Sequence, residues 1–220
     1  MSKENIIINL RQAIEKYDED EAIQYAKLWL NKGLNPLEAI ESGLVPGIRA
    51  IGEKFSIGEA FLPELMLAAN IMRISLDVLE PAIPKGKSRK TLGKVVIGTV
   101  EGDIHDIGKS IVAVMLSANG FEVLDLGVDV PTSTFVEKVR EINPDILALS
   151  VLMTTTKPIV KDVINTIKTA KLREKVKIMV GGAPTSKEWA KEIGADGYGG
   201  DAMEAVEVAR KLIEVHKEDD

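Results

Sequence analysis

The residues with the most chemistry in them stand together at 102–110, in the order Gly-Asp-Ile-His-Asp-Ile-Gly-Lys-Ser. Two functions compete for this stretch. Its close, Gly108-Lys109-Ser110, has the form of a phosphate-cradling loop, in which backbone amides wrap an anion and a lysine reaches it. Its middle carries His105, one of 2 histidines in the chain, between Asp103 and Asp106. The phosphate reading fails on spacing. It needs a glycine, four residues and then Gly-Lys-Ser or Gly-Lys-Thr, whereas five residues separate Gly102 from Gly108. Moving the frame by one puts Asp103 in the glycine's place and sets a carboxylate against the phosphate. No strand ending in a Walker B aspartate accompanies the stretch. The glycine spacing of 98–103 also departs from the dinucleotide-binding fingerprint.

The other reading is Asp103-x-His105-x-x-Gly108. A histidine on a loop can offer one ring nitrogen to a metal while a nearby carboxylate accepts the other N–H, fixing the tautomer and raising the basicity of the ligand. Gly108 would let a ligand approach the start of the following helix. Taken alone, the triplet also fits a plainer reading, in which Asp103 or Asp106 caps a helix and His105 is a solvated loop residue.

The elements around it decide where the triplet sits. From Lys94 onward, short β-rich runs (94–100, 121–127, 145–152, 175–182 and the weak 195–200) alternate with helical ones (106–119, 131–141, 156–170, 186–193 and Asp201 to His216). This βα alternation demands a parallel, doubly wound sheet covered by helices on both faces, of Rossmann-like or flavodoxin-like type. Ligands of such sheets sit at the carboxyl ends of the strands, and 102–110 directly follows the first strand. Residues 1–82 follow a helical period instead. Ile6, Ile7, Leu10 and Ile14 mark one helix, and Ala22, Ile23, Ala26 and Leu30 a second, stopped by Gly33. A third begins at Asn35-Pro36 with Glu38 and is broken near Pro46-Gly47 before continuing toward Phe55. A fourth follows Pro63 with a stripe of Leu65, Ala69, Met72, Leu76 and Leu79, and Pro81 ends it. These predict an N-terminal four-helix bundle. The run PAIPKGKSRKTLG, with two prolines, two glycines and four basic residues, reads as a linker. The expected division is 1–82 for the bundle, 83–93 for the linker and 94–216 for the α/β domain.

Composition narrows the classes. The chain has 220 residues, 45% hydrophobic and 28% charged, with a formal charge of −6. The acidic balance argues against a general nucleic-acid binder. With no cysteine there is no disulfide, no thiolate metal site and no cysteine nucleophile. The apolar run at the N-terminus is too short for a signal peptide, and no window approaches the roughly 18 apolar residues of a membrane span. The expectation is a cytoplasmic protein that engages neither membrane nor nucleic acid.

Asp103-x-His105-x-x-Gly108, with Ser150-Val151-Leu152 after the third strand and Gly181-Gly182 after the fourth, resembles the signature of cobalamin-binding domains. The resemblance extends forward. The segment GEKFSIGEAFLPELMLAANIM at 52–72 is similar to the helical cap that precedes the cobalamin domain in methionine synthase and in the corrinoid proteins of methylamine and methanol methyltransferase systems. It covers essentially the whole chain. The resemblance implies a cobalamin or related corrinoid cofactor (methylcobalamin when loaded), bound base-off with His105 as the cobalt ligand. Asp103 would accept the other imidazole proton. Thr156 would complete the relay where methionine synthase has serine, its plainer alternative being a helix cap before Pro158. Ser150 and Thr154 would bond the nucleotide tail or corrin edge, with Leu152 beside them. Gly181 and Gly182 would leave room for the tail, or simply make a tight turn, and Gly199, Gly200 and Asp201 would line the same pocket. Asp106 falls within the matched stretch and is most simply a helix cap; Lys109 and Ser110 are first-turn residues. Phe61, Leu65 and Met66 would cover the upper face of the corrin, or, for Leu65 and Met66, be ordinary bundle core. A proton moving through Asp103 would couple ligation to redox state.

The implied function is a methyl carrier cycling between Co(I) and methyl-Co(III), a component of a methyltransferase system more than a complete enzyme. Its partners would be a substrate-specific methyltransferase, an acceptor methyltransferase and a corrinoid reactivation protein. The rivals are a cobalamin-sensing regulator, for whose DNA-binding domain no residues remain, and the cobalamin subunit of a mutase, which usually lacks the helical cap.

Overall fold

The computed structural model describes residues 1–84 and 91–218 and divides into two compact units, Met1–Lys90 and Thr91–Asp220. The expected linker, 83–93, falls largely on 85–90, outside the described residues. Among the described residues no helix is long and apolar enough to cross a membrane.

The first unit is helical. Helix α1 (Lys3–Glu15) is capped by Ser2 and buries Ile6, Leu10, Ala13 and Ile14; α2 (Glu19–Asn31) is capped by Asp18 and buries Ala22, Ala26 and Trp29. Trp29, not Leu30, therefore takes the core position at the end of α2, and its indole N–H donates to the Asn35 carbonyl at 2.8 Å. Gly33 stops the helix at φ +66°. The Asn35 side chain accepts from the Leu37 N–H and opens the short α3 (Pro36–Ala39). The expected break then falls earlier than Pro46-Gly47. It is a π-helical turn, Ile40–Leu44, running into α4 (Val45–Ser56). Pro46 offers no N–H to an α-helical ladder reaching back to residue 42, and the wider turn absorbs that lost donor. Helix α5 (Leu62–Leu79) buries Leu65, Ala68, Ile71, Met72, Ser75 and Leu79, so the apolar stripe is rotated from the expected one, with Ala69 and Leu76 at its margin. Helix α1 lies against α2 and α4, and α5 lies against the same two, giving the four-helix arrangement.

The second unit is α/β: β1 (Lys94–Thr99), α6 (Ile107–Ala118), β2 (Glu122–Asp125), α7 (Thr132–Ile142), β3 (Ile146–Ser150), α8 (Lys157–Thr169), β4 (Lys177–Gly181), α9 (Lys187–Glu192), β5 (Gly197–Gly199) and α10 (Ala202–Glu218). All five strands are parallel, in the order β2-β1-β3-β4-β5, the flavodoxin-like form of a doubly wound sheet. Helices α6 and α10 pack together on one face and α7 and α8 on the other. The inner strands β1, β3 and β4 are almost wholly buried. The edge strand β2 is open at its end, as an edge must be. Strands are shorter than the apolar runs that signal them; Val100, for instance, has left β1 and only bridges to Val130. Register places four strand ends side by side: Thr99 opposite Ser150, Ser150 opposite Gly181, and Gly181 opposite Gly199. Every loop that follows these residues opens on the carboxyl edge.

Candidate functional site

Where β1 ends, the chain turns through Gly102 at φ +79° and drops Asp103 into the protein, with none of its side chain exposed. A lone buried carboxylate would be strongly disfavoured, and this one is surrounded by donors. Its Oδ1 accepts from the His105 ring Nδ1 at 2.7 Å and from the His105 backbone N–H at 3.1 Å. Its Oδ2 accepts from the backbone N–H groups of Leu152 at 2.7 Å and Met153 at 3.1 Å, and from the Thr156 hydroxyl at 3.3 Å. Burial pushes the carboxyl up, but the bonds donated by Leu152, His105 and Met153 outweigh it and hold the pKa at about 2. Asp103 is therefore ionised at neutral pH, so the proton of the 2.7 Å contact sits on Nδ1, and the tautomer that offers a lone pair offers it at Nε2. The imidazole is 49% exposed, and no protein group hydrogen-bonds Nε2 among the described residues.

The loop is fixed from several sides. The buried Thr99 hydroxyl donates to the His105 carbonyl at 3.0 Å. Asp129, in the β2–α7 loop and itself at φ +52°, accepts from the Gly102 N–H at 2.7 Å and donates its own N–H to the Asp103 carbonyl at 2.9 Å. At the far end Lys109 is buried and its ammonium pairs with Asp106 at 2.8 Å and with Asp125. This commitment of Lys109 to two carboxylates removes the phosphate-loop reading from geometry as well as from spacing.

Several expected roles change. Asp106 occupies the N-cap position of α6 but makes no side-chain cap bond. Its backbone is already helical, which turns the carboxylate to Lys109, and that hydrogen bond holds its carboxyl below the usual range. Thr156 does not cap α8 either: its buried hydroxyl is shared between Asp103 and the Met153 carbonyl, so it joins the relay position. Leu65 is fully buried in the bundle and has no surface to present, whereas Phe61 and Met66 are exposed. On the side where a Cβ would stand, Gly181 and Gly182 are closely packed by the protein itself. A Cβ on Gly182, at φ +120°, would collide with the Val151 carbonyl, and one on Gly181 would come within 2.8 Å of the Gly199 carbonyl oxygen. Close strand-end packing requires a glycine at both positions. Gly199 packs against Ala205 and the Gly200 N–H donates to Glu204 at 2.8 Å, while Asp201 caps α10 through the Glu204 N–H at 2.8 Å. Gly108 differs, since a Cβ there would meet nothing within 4 Å. Ser150 is half-buried at the strand-end row, and Thr154 is exposed in the turn after it.

The residues fit a corrinoid. His105 offers one oriented nitrogen donor, and among the described residues no group of three or more His, Cys, Asp or Glu side chains gathers to hold a metal ion. A metal on His105 must bring the rest of its coordination with it, as a corrin does. The flanking Ile104 and Ile107, and Leu152 whose N–H reaches Asp103, hold exposed apolar side chains suited to a flat macrocycle. Asp125, Asp129 and Lys109 are the supporting residues that sequence reasoning missed. The buried lysine within a Gly-Lys-Ser run was the one signal available for any of them.

Comparison with known proteins identifies the family. The family model described as a B12 binding domain matches residues 93–207, and a second of the same description matches 7–80. The chain is 47% identical over 213 residues to trimethylamine corrinoid protein 1 of Methanosarcina acetivorans, covering 96% of this chain and 99% of the relative. It is 47% identical over 214 residues to dimethylamine corrinoid protein 1 of the same organism, covering 97% and 100%. The crystal structure of the methanol:cobalamin methyltransferase complex MtaBC from Methanosarcina barkeri superposes with a TM-score of 0.85 at 29% identity, over 99% of this chain and 85% of the other.

Proposed function

The chain belongs to the B12-binding corrinoid proteins of methyltransferase systems, and on that premise we propose that it carries a methyl group between two partner methyltransferases, with its corrinoid held base-off on His105. Bound there, the corrinoid supplies a cobalt centre that accepts and releases a methyl group. The chain's own residues set how that cobalt is held. Asp103 keeps the proton on Nδ1 and presents Nε2 as the donor, and its negative charge makes that nitrogen a stronger base. The Leu152 and Met153 amides and the Thr156 hydroxyl hold Asp103 still. Because its carboxyl lies at about 2, the resting proton of the pair belongs to the imidazole and not to Asp103. The exposed Ile104, Ile107 and Leu152 would exclude water from beneath a bound corrin. Ser150 and Thr154 would bond the nucleotide tail or the corrin edge, and Gly199 and Gly200 would line the tail's path.

The relatives at 47% identity are named for trimethylamine and dimethylamine. We take a methylamine as the source of the methyl group, with a substrate-specific methyltransferase as the delivering partner; an acceptor methyltransferase and a corrinoid reactivation protein would be the other partners. The observation that carries the reading is the 2.7 Å contact that points a defined histidine tautomer outward from a buried carboxylate. The test is electron paramagnetic resonance of cob(II)alamin-loaded protein grown on 15N-histidine. Histidine ligation is expected to convert the nitrogen triplet to a doublet, and His105→Ala to abolish that response. A wild-type spectrum indifferent to the label sinks the assignment.

A further inference from the structure

Lys109 is the one buried cation among the described residues, with 1% of its side chain exposed. Lysine rarely tolerates such burial without paired charges, and the placement of this pair links two different parts of the unit. One partner, Asp125, closes β2. Its Oδ1 accepts from the Gly127 N–H at 2.9 Å, leaving Oδ2 to the ammonium. The same strand end is tied to β1, because Leu126 donates to Ile97 at 2.8 Å and Thr99 donates to Gly127 at 3.0 Å. Asp125 is thus an anchor in the sheet. The other partner, Asp106 at 2.8 Å, immediately follows His105. The ammonium fastens the residue beside the proposed ligand to the frame of the sheet, as Asp129 fastens the opposite end of the loop at Gly102.

We propose that Lys109 is a positioning residue for His105: its bridge from Asp125 to Asp106 holds the histidine loop in the form that keeps Nε2 on cobalt. This rests on His105 being the ligand. Without the ammonium, Asp106 and Asp125 lose their shared counter-charge, repel each other and release the last residue of the loop before α6. Groups that orient a metal ligand from behind typically alter metal affinity by roughly 10–100-fold when removed.

The experiment measures the histidine-ligated fraction of cob(II)alamin-loaded protein, using the 15N-histidine coupling, in wild type, K109M, K109R and D106N. Backbone amide exchange across 102–106 is followed in the apoproteins. In K109M the ratio of ligated to unligated protein is expected to fall roughly tenfold and loop amides to exchange faster. K109R restores most of the ligation because it keeps the bridging charge. D106N alters an exposed side chain, leaves the buried Lys109–Asp125 pair intact, and shifts ligation in the same direction by less. Folded K109M and D106N with the wild-type ligated fraction would overturn the proposal. Should K109M fail to fold, D106N decides alone, and an unchanged fraction overturns it. A wild type without histidine coupling would instead bring down the ligand assignment, and this inference with it.

Discussion

The helical unit and the α/β unit bury polar side chains in opposite ways. Among the described residues of the helical unit, the single buried polar side chain is Ser75, whose hydroxyl returns to the Ile71 carbonyl of its own helix at 2.8 Å. The α/β unit buries Thr99, Asp103, Lys109, Thr156 and Thr185, and each lies at the end of a strand, in the segment that follows it or in the first turn of the next helix. Thr185 bonds locally, to the Gly182 carbonyl, but the other four bond across segments: Thr99 to His105, Thr156 to Asp103, Lys109 to Asp125. Buried polarity is costly unless partners converge on it. One unit avoids that cost with an apolar core; the other concentrates it along a single edge, where the proposed ligand emerges. The contrast separates residues that hold a fold from residues that hold a site.

The sharpest way to break the contrast is Asp103→Ala. It removes the acceptor of the partly buried Leu152 and Met153 amides and of the His105 Nδ1–H, and a buried donor left unpaired costs about 1–3 kcal/mol. Urea unfolding of the apoprotein is expected to show a loss of about 3 kcal/mol or more, and histidine ligation in the loaded protein to weaken roughly 10–100-fold. Next in size is an acid effect. A carboxyl at about 2 in the folded chain, against 3.8 ordinarily, contributes about 2 kcal/mol of apoprotein stability. Because the folded pKa is the lower, that contribution is complete above about pH 4 and fades as the pH falls toward 2. Asp103→Asn should lack this acid-dependent component when stability is followed between those limits. The smallest effect belongs to the helical unit. Ser75→Ala removes a bond within one helix and should cost under about 1 kcal/mol by the same urea assay. A serine loss matching that of Asp103→Ala would erase the distinction between the units.

Much of this was legible in the chain, for physical reasons that differ by residue. Asp103 and His105 were readable because a carboxylate two residues from a histidine meets it within one turn of loop. The alternation of strands and helices was readable from period alone, and it placed that loop on the carboxyl edge. Thr156 came from family likeness; no spacing argument carries a hydroxyl across 53 residues to Asp103. Lys109 was visible as a residue but not as a bridge, because Asp125 lies 16 positions away and meets it only once β2 pairs with β1. Asp129 was hidden for the same reason, 27 positions from Gly102. The closeness of the Val151 and Gly199 carbonyls to Gly182 and Gly181 is a matter of strand register that composition does not reveal. The rotated stripe of α5 has a simpler origin. Ala68, Ile71 and Ser75 are as well spaced for burial as Ala69 and Leu76, and tertiary packing chose between two adjacent helical faces.

The five bonds on Asp103 also set a timetable. Two arise from His105, within two residues, and can close as soon as the loop forms. The other three come from Leu152, Met153 and Thr156, 49, 50 and 53 residues later. Long closures of this kind wait on the docking of distant strands. A chain emerging from the ribosome therefore displays its histidine well before the shell that orients it exists. Full orientation of the ring waits for β3 to pair with β1, so a corrinoid captured through a properly held His105 is also a certificate that β3 has found its place.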